Sequence, residues 1–322
     1  MNDGTALTTY KKALFIMAVL FMIGLILVLG ELALRLFMGL GNPVLYNSSP
    51  LYGYRPLPDK KYRRFRGANV QINNLGLRAD RDWDNEREEK ILFLGDSVTY
   101  GGSYIDNQDL FSQRVVKFLN ATNASSYVSG NAGVNAWGIE NIVGLIMEAH
   151  FLPAKIYITT VPEKDFYRGL TRIQGLPFFN IKPTFAFQEL WYFFCYRQNN
   201  NRYEHWTTFH SEEETLYIVE KAVKKLHKMD TFLKEQGYKH FFFISPSKAQ
   251  VIEGTEKDAI VYDLLMKYNV PVYYIVDGIK RYHLTPQEQS QLFHDEIHLD
   301  QRGHELWAKI IASELQNTIF VE

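Results

Sequence analysis

Cysteine is nearly missing: Cys195 is the only one in 322 residues. That excludes an intrachain disulfide and a cysteine-rich metal site. An excess of either charge is missing too. Lys and Arg number 35 against 36 Asp and Glu, a formal net charge of −1. No global basic field therefore points to nucleic acid as a partner. No internal repeat is visible. What the chain does have is apolar mass. Hydrophobic residues make up 46 %, enough for a sizeable core, in a length that suits one large domain with additions.

That mass is uneven. Ala13 to Gly30, ALFIMAVLFMIGLILVLG, runs without a charge. A stretch of about 20 apolar residues crosses a bilayer as a helix. A cleaved signal peptide has a shorter apolar core and a small-residue cleavage site, and no convincing A-x-A follows here. The expectation is an uncleaved single-pass transmembrane anchor over 13–38. Lys11 and Lys12 precede it, while Glu31 and Arg35 follow, which puts residues 1–12 in the cytoplasm and the rest outside, periplasmic or at the cell surface. Lys60, Lys61, Arg63, Arg64 and Arg66 form a basic cluster suited to anionic headgroups.

Residues 39–89 read as a juxtamembrane segment, irregular from 42 onward and rich in turn formers and tyrosine, with VQINNLGLRAD as a short strand and turn. From residue 90 to 322 strands and helices alternate. The strand candidates are 90–95, 126–129, 155–161, 239–245 and 271–276, several of them near-continuous apolar runs typical of strands covered on both faces. Between them Phe111, Val115 and Leu119 share a helical face, as do Ile139, Ile142, Val143 and Ile146. Ser211 with Glu214 reads as a capping box opening a long helix that Gly237 closes. Trp307, Ile311 and Leu315 mark the last helix. The alternation predicts an open parallel sheet with helices on both faces. Residues 166–210 break the rhythm as a long aromatic insertion, read as an irregular segment or lid over the sheet edge. Its rings suit a sugar or an acyl chain, and equally a hydrophobic plug or a surface touching the membrane.

The chemistry sits in ILFLGDSVTYGG, Ile91 to Gly102. Ligands of open parallel sheets bind beyond the carboxyl ends of the strands, and Ser97 falls one step past such an end. Asp96 is read as bonding the backbone of the turn. A serine needs a base to act as a nucleophile. HDEIHLDQRGHELW, His294 to Trp307, offers one. Asp295 and His298, three apart, share a side of a helical or turn-like backbone. The carboxylate then holds one ring nitrogen and leaves the other for Ser97, the logic of acyl transfer.

These blocks resemble a known family. GDSVTYGG, NAGVNAWG and DEIHLDQRGH look like blocks I, II and V of the SGNH, or GDSL-type, hydrolases, over about residues 90–318. The resemblance implies a flavodoxin-like three-layer α/β/α sandwich with a mostly parallel five-stranded sheet, and an esterase or acyltransferase working through an acyl-enzyme without metal or cofactor. It makes Ser97 the nucleophile, His298 the base and Asp295 its orienter, with oxyanion donors from the N–H groups of Ser97 and Gly133, and a structural role for His304. The anchor, INNLGLR and the ISPSK strand end resemble membrane-anchored members associated with cell-surface polysaccharide modification. The expected substrate is thus an acylated carbohydrate, or alternatively a lipid or short-chain acyl ester. One block departs. The family's Asn-Asp pair after the third strand reads TTVPEKDFYR here, so that Asp165 matches the Asp and Lys164 stands at the Asn. Losing an oxyanion donor costs about 3–4 kcal/mol; Lys164 is the expected replacement, with Thr160 as another.

Two other classes compete. His294, His298 and His304 have the spacing of the zinc signature H-E-x-x-H-x-x-G-x-x-H, but Asp295 replaces its Glu and Gln301 its Gly. A non-catalytic, membrane-tethered glycan-binding or scaffold protein is motivated by the missing Asn.

Overall fold

The computed structural model describes residues 3–84, 88–122, 126–173, 178–203 and 211–319. It opens with a long helix, α1 (Asp3–Met38). Within it, Tyr10–Met38 is long and apolar enough to cross a membrane, with mean hydropathy 3.0 in its most apolar stretch and none of that stretch buried.

Two antiparallel hairpins follow, β1 (Tyr46–Ser49) with β2 (Gly53–Pro56) and β3 (Lys60–Arg63) with β4 (Asn69–Ile72). The stretch expected to be irregular is therefore folded. Its tyrosines explain this: Tyr46, Tyr54 and Tyr62 are buried with Val70, Ile72 and Leu77 in a core shared with the main sheet. Arg78 bridges both Ile72 and Asn131, which hangs the hairpins on the edge of that sheet.

The alternating part comprises β5 (Glu89–Gly95), α2 (Ser97–Tyr100), α3 (Phe111–Thr122), β6 (Tyr127–Asn131), α4 (Ile139–Val143) and β7 (Ile156–Val161). After them come α5 (Ala186–Tyr203), α6 (Glu212–Glu235), β8 (Lys239–Ile244), α7 (Lys248–Ile252) and α8 (Ala259–Lys267). β9 (Tyr273–Tyr274), α9 (Ile275–Lys280), α10 (Pro286–Ser290) and α11 (Gln301–Ile319) complete the chain. The strands stand in the order β6-β5-β7-β8-β9, and each neighbouring pair is parallel. Counted from β5 this is the 2-1-3-4-5 order of flavodoxin-like folds.

Period-two alternation divides the core. Ile91 and Phe93 point to one face of the sheet, among Phe111, Val115, Trp307 and Ile311 of α3 and α11. Leu92 and Leu94 point to the other, among Ile142, Val223, Leu226 and Leu265 of α4, α6 and α8. Burying each such side chain stabilises the fold by about 1.5–3 kcal/mol. Ser211 and Glu214 cap α6 reciprocally. Gly237 ends it at φ +78, with the Gly237 and Tyr238 N–H groups returning to Lys234 and Leu233.

Two expectations need correction. The strand expected at 271–276 shrinks to Tyr273–Tyr274, because Ile275 and Ile279, four apart, are buried on one face of α9. The aromatic insertion 166–210 is not irregular throughout. Its residues 174–177 and 204–210 lie outside the described residues. Between these, α5 docks on the end of α1, and its Phe193 packs on Phe65 at 6.2 Å between ring centroids.

Candidate active site

β5 ends at Gly95 because nothing larger fits. A Cβ there would stand 2.2 Å from the Thr160 carbonyl oxygen and 2.2 Å from Thr99 Oγ1. Asp96 is wholly buried, and its Oδ1 accepts the Val98 N–H at 2.8 Å, which caps α2. Ser97 is thus the first residue of a short helix at the carboxyl edge of the sheet, and it remains partly exposed.

The loop carrying Asp295 and His298 is tied at its base. Phe293 bridges Leu299, the His294 N–H donates to His298 O at 2.8 Å, and the Asp300 N–H to Leu292 O at 2.9 Å. Beneath it α11 passes so closely that a Cβ on Gly303 would lie 2.1 Å from Leu292 O. Two outside contacts hold it, the Lys248 N–H on Glu296 O at 2.9 Å near its tip and the Tyr104 hydroxyl on Leu299 O at 3.1 Å at its base.

Within that frame Asp295 Oδ1 accepts the N–H groups of Ile297 at 3.0 Å and His298 at 2.8 Å. Its Oδ2 lies 2.7 Å from His298 Nδ1, and His298 Nε2 lies 2.8 Å from Ser97 Oγ. The structure therefore brings Ser97, His298 and Asp295 into one hydrogen-bonded chain. Partial burial pushes the Asp295 carboxyl up, but the bonds from the His298 ring and the His298 and Ile297 backbones outweigh it and hold the group well below the usual carboxylate range. An ionised Asp295 only accepts, so Nδ1 carries the ring proton and Nε2 is left to accept from Ser97. The competing acceptor, Asp96 Oδ2, is 3.3 Å from Ser97 Oγ and the weaker partner.

The expected oxyanion donors are placed less uniformly. The Ser97 N–H takes no partner among the described residues. The Gly133 N–H does: it donates to Asn131 Oδ1 at 2.8 Å. Asn131, 1 % exposed, also donates to Thr99 O and to Ser112 Oγ at 3.2 Å, so its oxygen needs a donor and Gly133 supplies one. Further along that loop the Asn135 and Ala136 N–H groups have no partner among the described residues. Ala136 sits at φ +61, a conformation that costs a non-glycine residue roughly 1–2 kcal/mol. An alanine gives no hint of this in sequence.

Lys164 is exposed at the rim and makes no hydrogen bond or ion pair among the described residues. Loss of solvent around its ammonium, then Arg168, lower its pKa, while Asp165, Asp96 and Asp295 act against them. It therefore feels the acids flanking Ser97. Thr160 is buried, and its Oγ1 has no partner among the described residues. Asp165 is also buried, with Oδ1 on Arg168 at 2.7 Å. Burial, then the neighbouring Asp96, push its carboxyl well above the ordinary range.

Sequence reasoning singled out no role for Arg78, yet it organises the loop after the nucleophile. Its buried guanidinium donates to the carbonyls of Tyr100, Gly102 and Ile105 and to Asn107 Oδ1. The three histidines of the zinc-like spacing do not converge. His294 lies on the Tyr104 ring at 4.1 Å, His298 is bound between Ser97 and Asp295, and His304 accepts the Phe111 N–H at 3.2 Å. No group of three His, Cys, Asp or Glu side chains among the described residues is arranged to hold a metal ion. Cavities of about 380 Å³ beside β9 and 480 Å³ beside β6 are lined by neither Ser97 nor His298.

No protein-family model matches the chain, and no curated protein matches its sequence. Solved structures resemble its course. A lipase/acylhydrolase from Enterococcus faecalis is 13 % identical, covering 71 % of this chain and 96 % of its own at a TM-score of 0.43. The acetyl xylan esterase AlAXEase is 14 % identical, covering 70 % and 99 % at 0.44. An acetylxylan esterase from Geobacillus stearothermophilus is 14 % identical, covering 70 % and 94 % at 0.41. Likenesses this weak leave the chemistry to be argued from the residues themselves.

Proposed function

We propose that this chain is a membrane-anchored serine acyl-transfer enzyme of SGNH type, acting on ester-linked acyl groups of a glycan outside the cytoplasm. The observation that carries the reading is the 2.8 Å contact of Ser97 Oγ with His298 Nε2, backed by Asp295 at 2.7 Å on the other ring nitrogen. Ser97 Oγ attacks the ester carbonyl as its proton passes to His298, and Asp295 stabilises the imidazolium that forms. The tetrahedral oxyanion takes the free Ser97 N–H. Lys164 supplies a charged donor from the rim, in place of the side-chain amide found in the family. Collapse expels the alcohol, which receives the proton from His298 and leaves an acyl-serine. Water then makes the enzyme an esterase, and a sugar hydroxyl makes it an O-acyltransferase. The domain is held outside by α1.

The test is a panel of acetylated glycans and of short- and long-chain acyl esters, run with wild type and Ser97→Ala. Turnover of acetylated glycan by wild type alone supports the reading. Preference for long-chain esters would move the substrate to lipids. Equal activity of both proteins, or activity in neither, would remove Ser97 from the chemistry.

A further inference from the structure

α5 presents two apolar faces; one is packed into the protein, and the other, beyond a contact of Phe187 with α1, is left largely uncovered by the described residues. On the inner face Glu189 is wholly buried and bound by Arg64 at 2.6 Å, while Tyr192 and Phe193 pack on Phe179. On the outer face Phe187, Leu190, Trp191 and Phe194 are 38, 39, 61 and 54 % exposed. Their spacing of i, i+3, i+4 and i+7 makes one stripe along the helix. Just before the helix, Ile181 and Phe185 are exposed as well. Water is a poor solvent for so contiguous an apolar surface.

Its position names the occupant. The Phe187 ring lies against α1 at Gly30, where a Cβ would come within 2.7 Å of it. Glu31 accepts the Ala186 N–H at 2.7 Å and the Phe187 N–H at 3.1 Å, and Arg35 donates to Thr184 O. α5 thus begins at the first charged residue after the run Ala13–Gly30. That run is about 27 Å long as a helix, close to the hydrocarbon thickness of a bilayer. The start of α5 therefore falls at the level of the headgroups. Exposed Leu32, Leu36 and Phe37 continue the apolar surface on α1. Nearby, the exposed Lys61 and Arg63 project from the side of β3 opposite buried Tyr62, and the Arg63 carbonyl abuts Gly39, the first residue past the helix.

We propose that α5 is a second membrane contact, lying in the outer membrane–water interface with Phe187, Leu190, Trp191 and Phe194 turned into the lipid. A bulky aromatic stripe beside a spanning helix, with cations alongside, matches the chemistry of that boundary. Phe65, packed on Phe193 of α5, is followed by Arg66, which pairs with Asp300 at 3.7 Å and contacts His294 Nδ1 at 3.4 Å. The loop bearing Asp295 and His298 is therefore tied, through one turn, to the helix on the membrane. The site is held at the bilayer surface, where it meets acyl groups carried close to the lipid. The proposal stands whether or not Ser97 is catalytic; it rests on α1 crossing the bilayer, which the experiment reads separately.

The full chain, with Cys195→Ser, is reconstituted into phosphatidylcholine vesicles containing phosphatidylglycerol. A polarity-sensitive fluorophore is placed by Trp191→Cys, and in a second protein by Phe194→Cys in case the first does not fold. Leu20→Cys in α1 and Tyr217→Cys at an exposed position of α6 are the references. Expected is quenching of the α5 probes by lipid nitroxide near the headgroup, with iodide quenching on the order of tenfold weaker than at Tyr217. If iodide reaches the α5 probes as it does Tyr217 while nitroxide quenches Leu20, the anchor stands and the proposal is overturned. Shielding from both quenchers would mean that a protein partner or a second copy covers the stripe, which also overturns it. A Leu20 probe left unquenched by nitroxide carried at the acyl-chain centre would remove the anchor and the proposal together.

Discussion

His304 lies in α11 with none of its surface exposed, and its ring stacks on Phe111 at 5.8 Å. Burial first, then the positive charges of Arg78 and Arg114, push its pKa down to about 3 from the ordinary 6.5. In the unfolded chain the ring titrates near its ordinary value. Between these two values the unfolded chain holds a proton that the folded chain refuses, so stability falls as the pH falls. Linkage sets the slope at up to about 1.4 kcal/mol per pH unit, with the contribution complete above about pH 6.5 and fully lost below about pH 3. At pH 5 the loss is about 2 kcal/mol. The perturbation is His304→Gln, which offers an acceptor to the Phe111 N–H and cannot take the proton. Urea unfolding in detergent, followed by tryptophan fluorescence, gives the stability of each protein at neutral pH and at about pH 5. Wild type is expected to lose about 2 kcal/mol more than the variant over that interval. Equal losses would refute the reasoning, because the other titrating groups are common to both proteins.

Gly303→Ala forces the loop off its seat at Leu292 O, and a displacement near 1 Å at the reacting groups is expected to lower ester turnover on the order of 10²-fold; unchanged turnover would mean that the loop is not set by that contact. Arg64→Met strands the buried Glu189 carboxylate and is expected to cost about 3–5 kcal/mol, whereas the double variant with Glu189→Leu costs less. A cycle of unfolding measurements checks it, and strictly additive losses would contradict the pairing. For Lys164→Met the expectation is a fall in kcat on the order of 10²-fold with KM little changed. If steady-state kinetics give unchanged turnover, the lysine has no part in holding the oxyanion.

The open sheet was legible because its strands are covered on both faces, which writes them as apolar runs such as ILFL and IYIT. The last strand was not, since an apolar run of six residues fits a short strand and a buried helical turn alike, and PVYYIV becomes both. The hairpins of 39–84 were hidden because their stability comes from tyrosines packing on a distant sheet, which no local pattern records. Ser97, Asp295 and His298 were legible through glycine and acid spacing on either side of a long gap. Gly133 illustrates the limit of that method: its N–H looks available until the buried Asn131 is seen to need it. The roles of Arg78 and Ala136 and the exposure of one apolar side of α5 depend on packing alone.

The most direct test of the central claim is reaction with a fluorophosphonate, which labels only an activated serine hydroxyl, read by intact mass and peptide mapping of the full chain in detergent. The account predicts one adduct, on Ser97, lost in Ser97→Ala and greatly slowed in His298→Gln. No adduct on the folded wild-type protein, or labelling indifferent to His298, would contradict it.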